Sequence, residues 1–184
     1  MWWPIAHATP AVGGGQLVEQ AIHLYDLARH FFGDARDVVA FVDKLAHGQI
    51  ADYRVDDVSA STIRFASGAI ANICASNCAD PTAGSITFTV LCEKLYAEFT
   101  SPDEATFVHH GGRPGEQLGG VEVPREVVRS EADNFDELAA DFVAAIREGR
   151  PARSSIEDGV RDLALVLAAQ TSGKAGGAVQ RLGE

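Results

Sequence analysis

The chain is short of cations, of cysteine and of long apolar runs. Lys and Arg together number 15 against 26 Asp and Glu, for a net charge of -11. No basic cluster offsets that balance, which argues against nucleic acid or an anionic membrane surface as a partner. Only three cysteines are present, an odd number without a CxxC pair. They exclude a disulfide framework and read as reduced, buried thiols of a cytoplasmic protein. Cys74 and Cys78 fall in a strand-like segment with no histidine nearby, so packing is their expected role. No apolar stretch is long enough to span a bilayer. The first residues lack the basic start and apolar core of a signal peptide. What remains is ordinary: 184 residues, 46% hydrophobic and 22% charged, enough for one soluble domain spanning 1–184 with a sizeable core.

The organising stretch runs from Gly13 to Gly33. Three glycines open it, one closes it, and no breaker interrupts it, which predicts a helix. Leu17, Ala21, Leu24, Ala28 and Phe31 recur at steps of four and three and form an apolar stripe. Gln16, Glu19, His23, Asp26 and His30 recur on the opposite side. A solvated face is the ordinary reading of such a row. Two things weigh against it: Lys and Arg are almost absent from the row, and Ile22, Tyr25, Leu27 and Phe32 crowd its flanks. Glu19 and His23 lie one helical turn apart. A carboxylate beside an imidazole can set its tautomer and raise its basicity, which suits proton transfer near neutral pH. The same face has ligands for zinc, iron or manganese. A straight helix cannot wrap one ion with groups spread over three turns, so no metal is expected.

The run Gly-Gly-Gly-Gln-Leu-Val-Glu-Gln-Ala-Ile-His-Leu-Tyr-Asp resembles the opening of the C-terminal domain of the glucose–fructose oxidoreductase and inositol dehydrogenase family. The resemblance covers nearly the whole chain. It implies an α+β fold, a largely antiparallel open sheet with helices packed on one face. It places His23 and Glu19 beside the substrate as catalytic residues, with Gln20 binding substrate and Asp26 binding substrate or anchoring the helix. Many members have Asp where this chain has Glu19. It also implies NAD or NADP in the complete enzyme, a small polyhydroxylated substrate and a homo-oligomer formed through the sheet face. The family's Glu-Lys-Pro motif is missing here, since Glu93-Lys94 is followed by Leu95, and so is the N-terminal dinucleotide-binding domain. No GxGxxG stands in a βαβ setting: Val18 occupies the third glycine's place after Gly13. The chain alone is therefore expected to bind no cofactor and to be inactive.

Elsewhere the pattern is that of a sheet with covering helices. Met1 to Val12, with Trp2, Trp3, Pro4 and Pro10, reads as a linker-like start emerging from an upstream domain, with His7 in a surface loop. Asp37 to Leu45 reads as a buried strand. Val55–Phe65 and Ala69–Cys78 flank Ala66-Ser67-Gly68 as a hairpin. Pro81 to Gly84 is a break. Ser85–Cys92 alternates with Ile86, Phe88, Val90 and Cys92 on one face. Leu95, Ala97 and Phe99 carry the alternation back, and Glu104–His109 is a further strand. Gly111 to Gly120 reads as a flexible loop. Ser130 with Asp133 is expected to cap a helix whose core stripe is Phe135, Leu138, Phe142 and Ile146. Ser155 with Asp158 caps another, with Val160, Leu163, Leu167 and Thr171 inward and Gly173 as its stop. A non-enzymatic alternative, a stand-alone dimerisation or ligand-binding domain, fits the small polar residues of Val55–Cys78.

Overall fold

The computed structural model describes residues 13–78, 86–111 and 123–183. The linker-like start with Trp2, Trp3 and His7, the break at Pro81–Gly84 and all but Gly111 of the Gly-rich loop lie outside the described residues. The chain forms two compact units, one from the residues up to Pro81 and from Ala152 onward, the other from Thr82 to Pro151.

In the first unit, a π turn at Leu17–Ala21 runs straight into α1, Ile22–Phe32. Three strands follow: β1 (Ala35–Asp43), β2 (Val58–Phe65) and β3 (Ile70–Ser76). The short strand β8 (Gln180–Arg181) completes an antiparallel sheet of order β3-β2-β1-β8. The expected hairpin is present, with Arg64 opposite Ile70 and Gly68 in the loop at φ +91°. Strand β2 alternates strictly, with Ser59, Ser61, Ile63 and Phe65 inward. That face packs beneath Leu17, Ala21, Tyr25 and Ala28 of the first helix and beneath Leu165, Val166 and Ala169 of α3, Ile156–Lys174. The opposite face carries Phe41, Thr62, Ile70 and Cys74, all exposed. Strand β8 pairs only with Asp37 and Val38. Further along β1, the Ala40 amide donates to Ser172 Oγ of α3 at 2.9 Å, which satisfies a buried donor that has no strand partner there.

The second unit holds the antiparallel sheet β4-β5-β6-β7, with β4 Phe88–Leu91, β5 Leu95–Ser101, β6 Glu104–His109 and β7 Arg125–Arg129. Phe88 pairs with Phe99 across the ladder, their rings stacked at 4.1 Å. The helix α2 spans Asn134–Glu148. No helix among the described residues is long and apolar enough to cross a membrane.

Several sequence expectations are corrected. Asp133, not Ser130, is the cap of α2: its side chain accepts from the amides of Phe135 and Asp136. Phe135, Leu138, Phe142 and Ile146 are exposed, and only Ala145 of α2 is buried. In α3 the stripe is turned round. Val160, Leu163 and Leu167 face out, while Asp162, Leu165, Val166, Ala169 and Ser172 face in. The small face packs because it comes closer: a Cβ on Gly173 would lie 2.8 Å from Val42 Cβ. Gly173 is therefore a close-approach position within the helix, not its stop. The cysteines are free but not buried, with Cys74 and Cys92 exposed and Cys78 half-buried.

Candidate functional site

Gly15, at φ +95°, starts the first helix. Glu19 N–H donates to Gly15 O at 2.9 Å, which closes the first turn. No side chain within the helix caps it. The cap comes instead from Asp56, just before β2, whose Oδ2 accepts the Leu17 amide at 2.7 Å. The Asp56 carbonyl accepts the Gln16 amide at 3.3 Å. Ser59 Oγ donates to the side chain of Gln16, which is only 4% exposed, and Gln170 Nε2 of α3 donates to Gly14 O. Burial raises the Asp56 carboxyl pKa from its ordinary value, and the Leu17 amide pulls the other way.

The π turn changes which residues face inward. It holds an extra residue, so the inward line beyond it shifts by a fraction of a turn. Leu17, Ala21 and Ala28 are buried as expected, but Tyr25 takes the place expected for Leu24. Phe32 replaces Phe31 and packs against Phe65, with ring centroids 5.4 Å apart. The titratable row splits for the same reason. Gln16 goes inside, Glu19 is half-buried, and Gln20, His23, Asp26 and His30 are exposed. A π turn rotates the chain less per residue than an α turn. A step of four that starts in one and ends in the other brings Glu19 and His23 back towards the same line along the helix.

Asp26 faces a different place. It lines a cavity of about 300 Å³ with Leu27, Arg29, His30, Arg153, Ser154 and Asp158. Glu19, Gln20 and His23 are not in that lining. Burial and the neighbouring Asp162 carboxylate raise the Asp26 pKa. Arg29 donates to Asp162 and to Asp34, and these bonds outweigh its burial and hold its pKa above the ordinary guanidinium value. Periodicity could not find Asp56, Asp162 or Gln170, because each reaches the helix from a distant segment.

The helix N-terminus also tests for a dinucleotide. Such an end favours a phosphate because its free amides point outward. Here the Leu17 amide already bonds to Asp56, and the carboxylate sits where a Cβ on Gly15 would collide with Oδ1. The residues present do not fit a cofactor pyrophosphate at this point.

The family model described as "Oxidoreductase family, C-terminal alpha/beta domain" matches residues 7–180. No curated protein matches the chain. Among solved structures, a levoglucosan dehydrogenase in complex with NADH and levoglucosan superposes with a TM-score of 0.81 at 21% identity, covering 97% of this chain and 53% of that one. An NAD-binding oxidoreductase from Klebsiella pneumoniae gives 0.81 at 14% identity, covering 99% of this chain and 54% of that one. A UDP-N-acetylglucosamine 3-dehydrogenase from Acidithiobacillus ferrooxidans gives 0.71 at 22% identity, covering 86% and 49%. The chain thus spans about half the length of the structures it matches, and shares their fold over that half.

Proposed function

The chain belongs to this oxidoreductase family through its C-terminal alpha/beta domain, and we propose that it is the substrate-holding part of an NAD(P)-dependent dehydrogenase acting at a hydroxyl carbon of a sugar or cyclitol. The observation that carries this reading is the Glu19/His23 face: a carboxylate and an imidazole one turn apart, on a helix whose other side is buried by Leu17, Ala21 and Tyr25. His23 takes or gives the proton of the reacting hydroxyl. Glu19 orients the imidazole or holds a neighbouring hydroxyl, and Gln20 binds a further hydroxyl; Asp26, which lines a separate cavity, is left out of this set. The nicotinamide cofactor supplies hydride chemistry when bound, and it is held by residues outside this chain. The three free thiols suit a reducing, cytoplasmic setting.

A second reading is favoured by the open face of the first sheet, where Phe41 is 65% and Ile70 63% exposed. Two copies meeting there would cover both, and the chain would then serve as an oligomerisation or ligand-binding module.

One experiment tests the first reading. The isotopically labelled chain is titrated with levoglucosan, glucose and myo-inositol while the Glu19 and His23 resonances are followed. They are expected to move with at least one polyol, and the polyol's own signals are expected to stop responding in His23→Ala. If no polyol moves them, the substrate site is refuted. Chain, polyol and NAD together are expected to yield no NADH. NADH formation would overturn the assignment of the cofactor site to residues outside the chain.

A further inference from the structure

We infer that Asp56 is a positioning residue for the Glu19/His23 pair, acting as the cap of a helix that begins 39 positions earlier in the chain. The inference rests on the proposed reading of that pair as the substrate-facing site. Asp56 is 7% exposed. One carboxylate oxygen accepts the Leu17 amide at 2.7 Å, and the other lies against Gly15, where only a residue without a Cβ fits. Its own carbonyl accepts the Gln16 amide. Two successive amides, those of Gln16 and Leu17, are thus held by one aspartate at the start of the π turn that carries Glu19, and Gly15 lies against it. The turn is wide and the helix has no cap of its own, so the carboxylate sets where the turn begins. The start of the turn in turn sets the angle between Glu19 and His23. Ser59 on Gln16 and Gln170 on Gly14 hold the same corner from two further directions, which leaves the first turn little freedom to shift. Capping side chains normally come from the helix's own first residue. Here Gln16 stands at that position and points inward, so the role falls to a residue on the sheet side. The helix bearing the pair is thereby referenced to the start of β2.

The test uses the full labelled chain. In Asp56→Ala, the Leu17 amide is expected to lose at least tenfold in hydrogen-exchange protection, and the Glu19 and His23 resonances are expected to move. Asp56→Asn keeps an acceptor oxygen and is expected to restore both. Ser155→Ala removes a cap from α3, and serves as the control for general destabilisation: it should lower the melting temperature and leave Glu19 and His23 in place. If Asp56→Ala fails to fold, Asp56→Glu replaces it, because the added methylene has no room beside Gly15 and must displace the acceptor. Unmoved Glu19 and His23 resonances in a folded Asp56→Ala or Asp56→Glu variant would overturn the inference, as would equal movement in Ser155→Ala. A wild-type chain that ignores every polyol, while Asp56→Ala still shifts the pair, would refute the substrate reading and leave the positioning role supported.

Discussion

Arg29 of α1 and Asp162 of α3 form an ion pair across 133 positions of sequence, with only 9% and 5% of their side chains exposed. Asp34 holds a second guanidinium nitrogen of Arg29 at 3.2 Å. The pair ties the lower half of the site helix to the helix beside it. It also explains why an aspartate lies on the buried face of α3, where the apolar pattern gives no reason for one.

Breaking that pair from one side leaves a buried charge without its main partner. Asp162→Ala is expected to cost about 3 kcal/mol, the low end of the usual range because Asp34 remains on Arg29. The double variant Arg29→Met with Asp162→Leu is expected to recover most of the loss. Denaturant melts of both singles and the double give the coupling, and a double variant no more stable than Asp162→Ala would refute the account.

Tyr25 is fully buried, and its hydroxyl donates to Ser61 Oγ at 2.7 Å. Burial raises its pKa from 10.0 to about 12; the Ser61 bond acts in the opposite direction and the Asp56 charge adds to the rise. The neutral phenol is the form the fold favours. Its contribution to stability is whole below about pH 10 and is lost as pH rises through about 12. Tyrosinate absorbance from Tyr25 should therefore appear only together with the loss of near-ultraviolet dichroism. Earlier ionisation in the folded chain would contradict this burial.

Asp57 is fully buried and anchors the connection after β1. It accepts the amides of Leu45, Ala46 and His47 and bonds the His47 ring at 3.0 Å. Burial alone would raise its pKa, but these donors outweigh it and the pKa is lowered. The contribution is present above the ordinary carboxylate value and is lost as pH falls through the lowered one. Asp57→Ala is expected to cost about 3 kcal/mol at neutral pH, and its deficit relative to wild type should shrink in acid. A deficit independent of pH would exclude the charged bonds as the cause.

Gly173 lets α3 lie directly on β1, where a Cβ would meet Val42 Cβ and Cγ2 at 2.8 Å. Gly173→Ala places a methyl group into filled space and is expected to lose about 1–3 kcal/mol despite alanine's better helix propensity. A gain in melting temperature would mean that the helix stands farther off than described.

Cys74 and Cys92 are exposed and Cys78 is half-buried beside Ser76 Oγ. Two thiols should react quickly with an aqueous reagent in the native protein and the third slowly. Cys74 lies on the open face of the first sheet, so protection of Cys74 that grows with protein concentration would favour self-association through that face. Constant reactivity would count against it.

The hairpin of β2 and β3, the capping pair Ser155 and Asp158 and the helix between Gly13 and Gly33 were all legible because each depends on neighbours within a few residues. So was the family, whose motif lies in one unbroken stretch. The inward faces of the helices were less legible. Periodicity identifies an apolar stripe but not which stripe meets the sheet, and α3 has a bulky one and a small one. The small one packs, because Ala169, Ser172 and Gly173 let the backbone approach β1, and it brings Asp162 inside to meet Arg29.

The amino-acid sequence by itself determined the acidic surface, the antiparallel strands and the placement of Glu19 and His23 one turn apart on a helix, since composition and short-range spacing decide all of these. Tertiary structure alone decided the extra residue in the first turn, which moved Tyr25 and Phe32 inward, and the cap from Asp56 that holds that turn. A wide turn and a cap drawn from 39 positions away leave no periodic trace; their stability comes from groups that meet only after the sheet has formed.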